Sequence, residues 1–303
     1  MYKDSIKLLV GDNPFHGISH LSQERARERV SFRNANDAKQ AAKLVRLAVQ
    51  NGAEGFMFSV SEKTLAILKN LREGEDKVEL SLYPIVPYAY EYVRLAAQLG
   101  GVSGLAKKVT KQVLTSVNLK AAAFGLYGII DNFNLSSFLK AYIVYECSRI
   151  KSAAGRNAQI KSILLHEIVT EMALALNMDW LFKHYIEFMS GLKIKPGFET
   201  RNFAYLASKL REWQIDFGKV TIATPFNKAG FQMNPSKAAC EDSLQIAADS
   251  EIIAMSVMAA GYLKPPDAID YLQSLPNLSG VVVGVSKELH AQETFRLLRK
   301  SLR

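Results

Sequence analysis

Apolar positions along the chain follow two alternating rhythms. Short runs in which nearly every residue is apolar, such as IKLLVG at 6–11, EGFMFSV at 54–60 and SGVVVGV at 279–285, predict strands buried on both faces. Between them lie longer stretches with apolar residues three and four apart. DAKQAAKLVRLAVQNG at 37–52 and EKTLAILKNLRE at 62–73 predict amphipathic helices, the first with a glycine stop. VELSLYPIVPY (78–88), KSILLH (161–166), KIKPGFE (193–199), KVTIATPFN (219–227) and EIIAMSV (251–257) complete a set of eight strands. Helical patterns at 202–215, 235–250, 265–275 and 287–303 follow the fifth to eighth of them. Eight strand–helix units predict a single α/β domain over 1–303, a parallel (β/α)8 TIM barrel. A doubly wound open sheet is the alternative.

The spacing is uneven between the third and fourth strands. The segment 89–160 contains AAAFGLYGIIDNFNLSSFLKAYIVYE, an unusually apolar stretch punctuated by Gly and Asn. It predicts a helical insertion that packs on the barrel or covers its mouth, and it is also the natural surface for an oligomer.

Composition changes this picture little. The 303 residues are 49% hydrophobic and 22% charged, as in an ordinary globular protein. The net charge of +9 favours an anionic partner. It is spread over helix-like stretches without a basic run or interleaved aromatics, so a small anionic ligand is expected and nucleic acid is not. Cys147 and Cys240 lack a paired motif and sit in helical patterns, which predicts reduced core thiols. The N-terminus runs into a strand, and no charge-free stretch approaches the ~20 residues needed to span a bilayer. No transmembrane segment and a cytoplasmic location are therefore expected.

In a barrel of this kind, residues just after each strand converge on one mouth. The first strand delivers GDNPFHG, with Asp12, Asn13 and His16 in a Gly- and Pro-bounded turn. Tyr83 and Tyr88 come from the third strand, His166 and Glu167 from the fourth, Glu199, Arg201 and Asn202 from the fifth, Asn227 and Lys228 from the sixth. An acid, a base and two cations in one mouth suffice for acid–base chemistry, and Arg201 is suited to a carboxylate or phosphate. At the eighth strand, Gly284 ends the strand, Ser286 is an N-cap candidate and Lys287 falls in the first turn. Backbone N–H groups and the helix dipole favour an anion there. Each residue also has a plainer reading: Asp12 as a turn former before Asn-Pro, Glu167 as a helix cap, Ser286 and Lys287 as an ordinary helix start. The chain has no H-x-H or H-E-x-x-H spacing, so no metal is expected.

In their order and spacing, LAVQNGAEGFMF, SEKTLAIL, SILLHE, NFAYLASKLREWQ, VTIATPFN, IIAMSVMAAGYL and GVVVGVSKELHAQET resemble the aldo/keto reductase superfamily over nearly the whole chain. The resemblance implies a barrel, NADP(H) as cofactor and His166 as the residue that orients a carbonyl oxygen. It implies cofactor contacts from Asn202, Gly284, Ser286, Lys287, Gln292 and Glu293, the last two at the adenosine end. The family's catalytic tetrad is incomplete. Met57 or Phe58 stands where the aspartate belongs, the loop that would carry the tyrosine is missing, and the third strand has no lysine. Ala223 stands in place of a glutamine and Met255 in place of a stacking aromatic. The reading is a divergent oxidoreductase-like barrel with a non-standard site built on His166, Asp12, Tyr83 and Glu167. A cofactor-independent lyase, isomerase or hydrolase acting on a phosphorylated or carboxylated substrate is the first alternative, and a non-catalytic ligand-binding or scaffold protein the second.

Overall fold

A computed structural model describes residues 6–16, 37–74, 78–87 and 135–302. The strands are β1 (Lys7–Gly11), β2 (Gly55–Ser59), β3 (Leu80–Val86), β4 (Ala158–Ile160), β5 (Ser162–Leu165), β6 (Lys195–Glu199), β7 (Thr221–Pro225), β8 (Glu251–Met255) and β9 (Leu278–Gly284). All pairings are parallel, in the order β2-β1-β9-β8-β7-β6-β5-β3, and β2 also pairs with β3, which closes the ring. β4 and β5 share one position. β4 pairs with the first half of β3 and β5 with its end, on either side of Lys161, whose N–H still donates to Leu82 O at 3.0 Å. The result is an eight-position parallel barrel.

Period-two strands inside a ring of helices make two cores. Leu9, Met57, Tyr83, Leu164, Ala223, Ile253 and Val282 fill the lumen. Their neighbours along the strands, such as Leu8, Phe56, Phe198 and Ile222, face outward into the larger layer beneath the helices. Gly55 is required where strands crowd: a Cβ there would lie 2.5 Å from Ser81 O and 2.8 Å from Leu9 Cδ2.

The helices among the described residues are α1 (Asp37–Gln50), α2 (Glu62–Glu73), α3 (Leu135–Ala154), α4 (Glu167–Ala175), α5 (Asp179–Gly191), α6 (Phe203–Glu212), α7 (Lys237–Ile246), α8 (Pro265–Ser274) and α9 (Glu288–Leu302). α2 starts at a capping box in which Thr64 N donates to Ser61 Oγ and Ser61 N to Thr64 Oγ1, relieving two otherwise orphaned donors. α3 corrects the expected extent of the insertion. It buries Ala141, Ile143, Cys147 and Ile150 in the outer core and packs against α2 as the barrel's own third helix, and β4 belongs to the barrel wall. The expected cover over the mouth and the oligomer surface fall on 89–134, outside the described residues. No described helix is long and apolar enough to cross a membrane.

Cys147 and Cys240 are buried free thiols, and burial pushes each up to about 11. Both should resist maleimide in the native state and react at the rate of unfolding; rapid labelling of the folded protein would contradict that placement.

The amino end of the lumen is closed by polar groups. Glu251, at the start of β8, accepts from Tyr83 Oη and Lys7 Nζ at 3.1 Å each and from Thr221 Oγ1 at 3.1 Å, with Lys195 Nζ at 3.7 Å. This corrects the expectation for Tyr83. Its ring is fully buried and its hydroxyl points to the end of the barrel opposite the mouth, where burial beside Glu251 raises its pKa and makes it a poorer acid.

Candidate functional site

The carboxyl ends of the strands open into a cavity of about 690 Å³, within the usual range for small-molecule sites. Asp12 anchors its β1 side. One carboxylate oxygen, Oδ2, accepts Ser59 N at 2.8 Å and lies 3.1 Å from His16 Nε2, while the backbone carbonyl accepts Phe15 N at 2.8 Å. Asp12 is therefore a turn former, as its place before Asn-Pro allows, and it also lines the cavity.

His166 follows β5 and caps α4. Its Nδ1 accepts the Ile168 N–H at 3.2 Å, which fixes the neutral tautomer with the proton on Nε2. Burial lowers its pKa; Glu167 and Asp12 raise it and Arg201 lowers it, and the net effect is downward. The ring is neutral near pH 7 and is a donor through Nε2. Glu167 and Arg201 form an ion pair through Arg201 Nε. Glu199, at the end of β6, accepts the Glu167 N–H through Oε2 at 3.2 Å. Burial pushes its carboxyl up to about 8, aided by the charges of Glu167 and Asp12 and opposed by that hydrogen bond and by Arg201. A carboxyl with this proton affinity is protonated at neutral pH and can act as an acid.

His166, Glu199, Glu167, Arg201, Asp12 and Asn13 thus line one cavity. Arg201 is the only lysine or arginine among its described lining residues, and so is the described group suited to an anionic ligand. The cavity continues past the loop after β8 to α9. In that loop Ser256, Ala259 and Ala260 have φ of 53°, 44° and 60°, and such left-handed non-glycine backbone tends to gather at functional walls. Gly284 and Ser286 line this end, with Pro14 against Gly284 so closely that a Cβ there would sit 2.8 Å from its ring.

Several expected residues lie elsewhere. Asn227 is buried and staples its own loop, donating to Phe231 O at 2.9 Å and accepting Phe231 N at 2.8 Å. Asn227→Ala should cost about 1 kcal/mol in a denaturant titration and leave ligand binding intact. Lys228 is on the surface, paired with Asp267 at 3.4 Å. His16 supports Asp12 from outside the lining, and Tyr88 is outside the described residues. α9 begins at Glu288, so Lys287 precedes the helix; it is exposed and does not line the cavity. Gln292 does not line it either, whereas Glu293 does, together with His290, Thr294 and Leu297. Those last three went unpredicted although helical spacing identifies them: His290 and Leu297 lie three and four residues from Glu293, and Thr294 four from His290. Asn202 starts α6 without a side-chain cap, and its Oδ1 is buried with no partner among the described residues.

The chain matches no protein-family model and no curated protein. Solved structures do match it. A Pseudomonas aeruginosa protein assigned to the aldo-keto reductases aligns with a TM-score of 0.59 at 12% identity, over 100% of this chain and 93% of that one. The fold is that of the aldo/keto reductases. A glycerol dehydrogenase from Gluconobacter oxydans shares this barrel with a TM-score of 0.54 at 9% identity, over 98% of this chain and 88% of its own. So does a Klebsiella pneumoniae aldo-keto reductase solved with NADPH, with a TM-score of 0.52 at 11% identity, over 98% and 90%.

Proposed function

We propose that this aldo/keto-reductase-like barrel is an oxidoreductase that reduces a carbonyl group, with Glu199 as the proton donor in place of a tyrosine. The observation that carries the reading is the place of the half-buried Glu199 carboxyl in the cavity wall, held by the Glu167 N–H next to His166, where its surroundings push it up to about 8. A nicotinamide cofactor bound in the cavity would supply the hydride. The length of the cavity favours that: it runs from His166 past the loop after β8 to Ser286 and α9. Glu293 at the α9 end suits a ribose hydroxyl or an adenine amine.

The neutral His166 ring donates through Nε2 to the carbonyl oxygen and orients it. As the carbonyl carbon accepts hydride and the C=O π bond breaks, the oxygen takes the proton from the Glu199 carboxyl and becomes a hydroxyl. The carboxylate left behind is reprotonated from solvent. Arg201, its fork held by Glu167 through Nε, orients the polar end of the substrate. The reading is tested by calorimetry of NADPH and NADH at moderate salt, which suppresses non-specific attraction to a +9 chain. Saturable binding at micromolar or lower dissociation constant is expected. Absence of binding for both would overturn the redox reading.

A second reading follows from the crowding of Asp12, Glu167, Glu199 and Glu293 around the cavity. Those carboxylates suit acid–base chemistry without a phosphate-bearing cofactor, as in a lyase or isomerase using His166 and Glu199. Ligand binding indifferent to NADPH and abolished in Arg201→Ala would favour it.

A further inference from the structure

The loop that carries Glu199 and Arg201 is held by a carboxylate that no site residue described so far includes. Glu171 lies one helical turn after Glu167 on α4, on the same face. Its Oε1 accepts three hydrogen bonds from the turn between β6 and α6: Thr200 Oγ1 at 2.5 Å, Arg201 N at 3.1 Å and Asn202 N at 3.2 Å. Thr200 Oγ1 in turn accepts Asn202 N at 2.9 Å, so the turn closes on itself around that oxygen. The tie is returned in the other direction. Glu167 N, on the first turn of α4, donates to Glu199, and Glu167 pairs with Arg201. His166 caps the same helix. The strand end bearing the acid and the helix start bearing the histidine are thus stitched twice, and the three donors on Glu171 form the larger stitch. The backbone N–H groups of Arg201 and Asn202, which lead the chain into α6, are thus satisfied from α4.

We infer that Glu171 is a positioning residue which, by fixing the β6–α6 turn against α4, holds the half-buried Glu199 carboxyl in its place on the Glu167 N–H at the cavity wall. The inference rests on the reading of Glu199 as the acid. Loosening the turn hydrates Glu199 more fully and relieves the desolvation that keeps it protonated.

The test is the titration of Glu199 in the full chain, followed by carboxyl carbon NMR with labelled glutamate and assigned through the signal lost in Glu199→Gln. Glu171→Ala should lower the titration midpoint by about one pH unit or more. Glu171→Gln, which keeps an accepting oxygen, should restore most of the wild-type midpoint. Thr200→Val removes one donor and should fall between them, and it carries the test if Glu171→Ala does not fold. An unchanged midpoint in folded Glu171→Ala, or in Thr200→Val where it substitutes, overturns the inference. An equal fall in Glu171→Ala and Glu171→Gln also overturns it, since charge and not the accepting oxygen would then be the agent. A wild-type Glu199 that titrates in the ordinary carboxylate range defeats the reading of Glu199 as the acid. A raised wild-type midpoint that ignores Glu171 defeats only the positioning role.

Discussion

Glu199→Gln should lower turnover by about 10²- to 10⁴-fold, the usual contribution of a positioned acid, while leaving cofactor and substrate affinity nearly unchanged. Gln has the shape of Glu and its amide oxygen still accepts the Glu167 N–H, so the turn after β6 keeps its place. It has no acidic proton to deliver. In the wild type, activity should fall as pH rises through about 8, where Glu199 ionises, and the variant's residual rate should lack that limb. Stability gives an independent check. The native state holds the Glu199 proton up to about 8, whereas the unfolded chain releases it near 4.5. Between those values the folded state binds more protons, so stability declines with rising pH, by up to about 1.4 kcal/mol per unit for a single group. The contribution is complete below the unfolded pKa and lost once pH passes the folded one. Denaturant titrations of Glu199→Gln across this range should show a flatter dependence than the wild type. A variant with full turnover and the wild-type pH slope would remove Glu199 from the mechanism.

The barrel was legible because its strands are buried on two sides. Runs such as SGVVVGV need no partner to be read, and eight of them alternating with amphipathic stretches leave few topologies. The site was legible only as a set of strand ends. His166, Asp12 and Glu199 follow strands that close a ring, so they meet. The proton affinities of His166 and Glu199 depend on neighbours such as Glu167 and Arg201, whose side-chain directions sequence does not show. Glu199 was therefore legible as a binding group and not as the acid. Asn227 and Lys228 follow a strand just as closely, but the chain turns there, so one side chain bonds back to Phe231 and the other points to solvent. Glu171 carried no signal at all, because its donors lie about thirty residues away in the chain.

Tyr83 shows the same limit from the other side, and the network it joins should matter for stability and not for chemistry. Period two places Tyr83 in the lumen, and a tyrosine in such a barrel invites a catalytic role. Which end its hydroxyl reaches is decided by Glu251, a carboxylate on a strand across the barrel. Burial opposes ionisation of Glu251, but Lys7, Lys195 and the Tyr83 hydroxyl outweigh it and hold its pKa below the ordinary range. Glu251→Ala should cost about 3 kcal/mol in a denaturant titration, the lower side of the loss when one member of a buried charged pair is removed. The lower side applies because the Lys7 side chain is 45% exposed and can rehydrate. Lys195 Nζ, Tyr83 Oη and Thr221 Oγ1 would still lose their acceptor together. The stabilisation is present above the unfolded pKa of a glutamate and should be lost as pH falls through the lowered folded value. Tyr83→Phe removes a single hydrogen bond and should cost about 1 kcal/mol with turnover unchanged. A large loss of turnover in Tyr83→Phe, at a pH where the variant remains folded, would return the proton to a tyrosine and place the chemistry at the wrong end of the barrel described here.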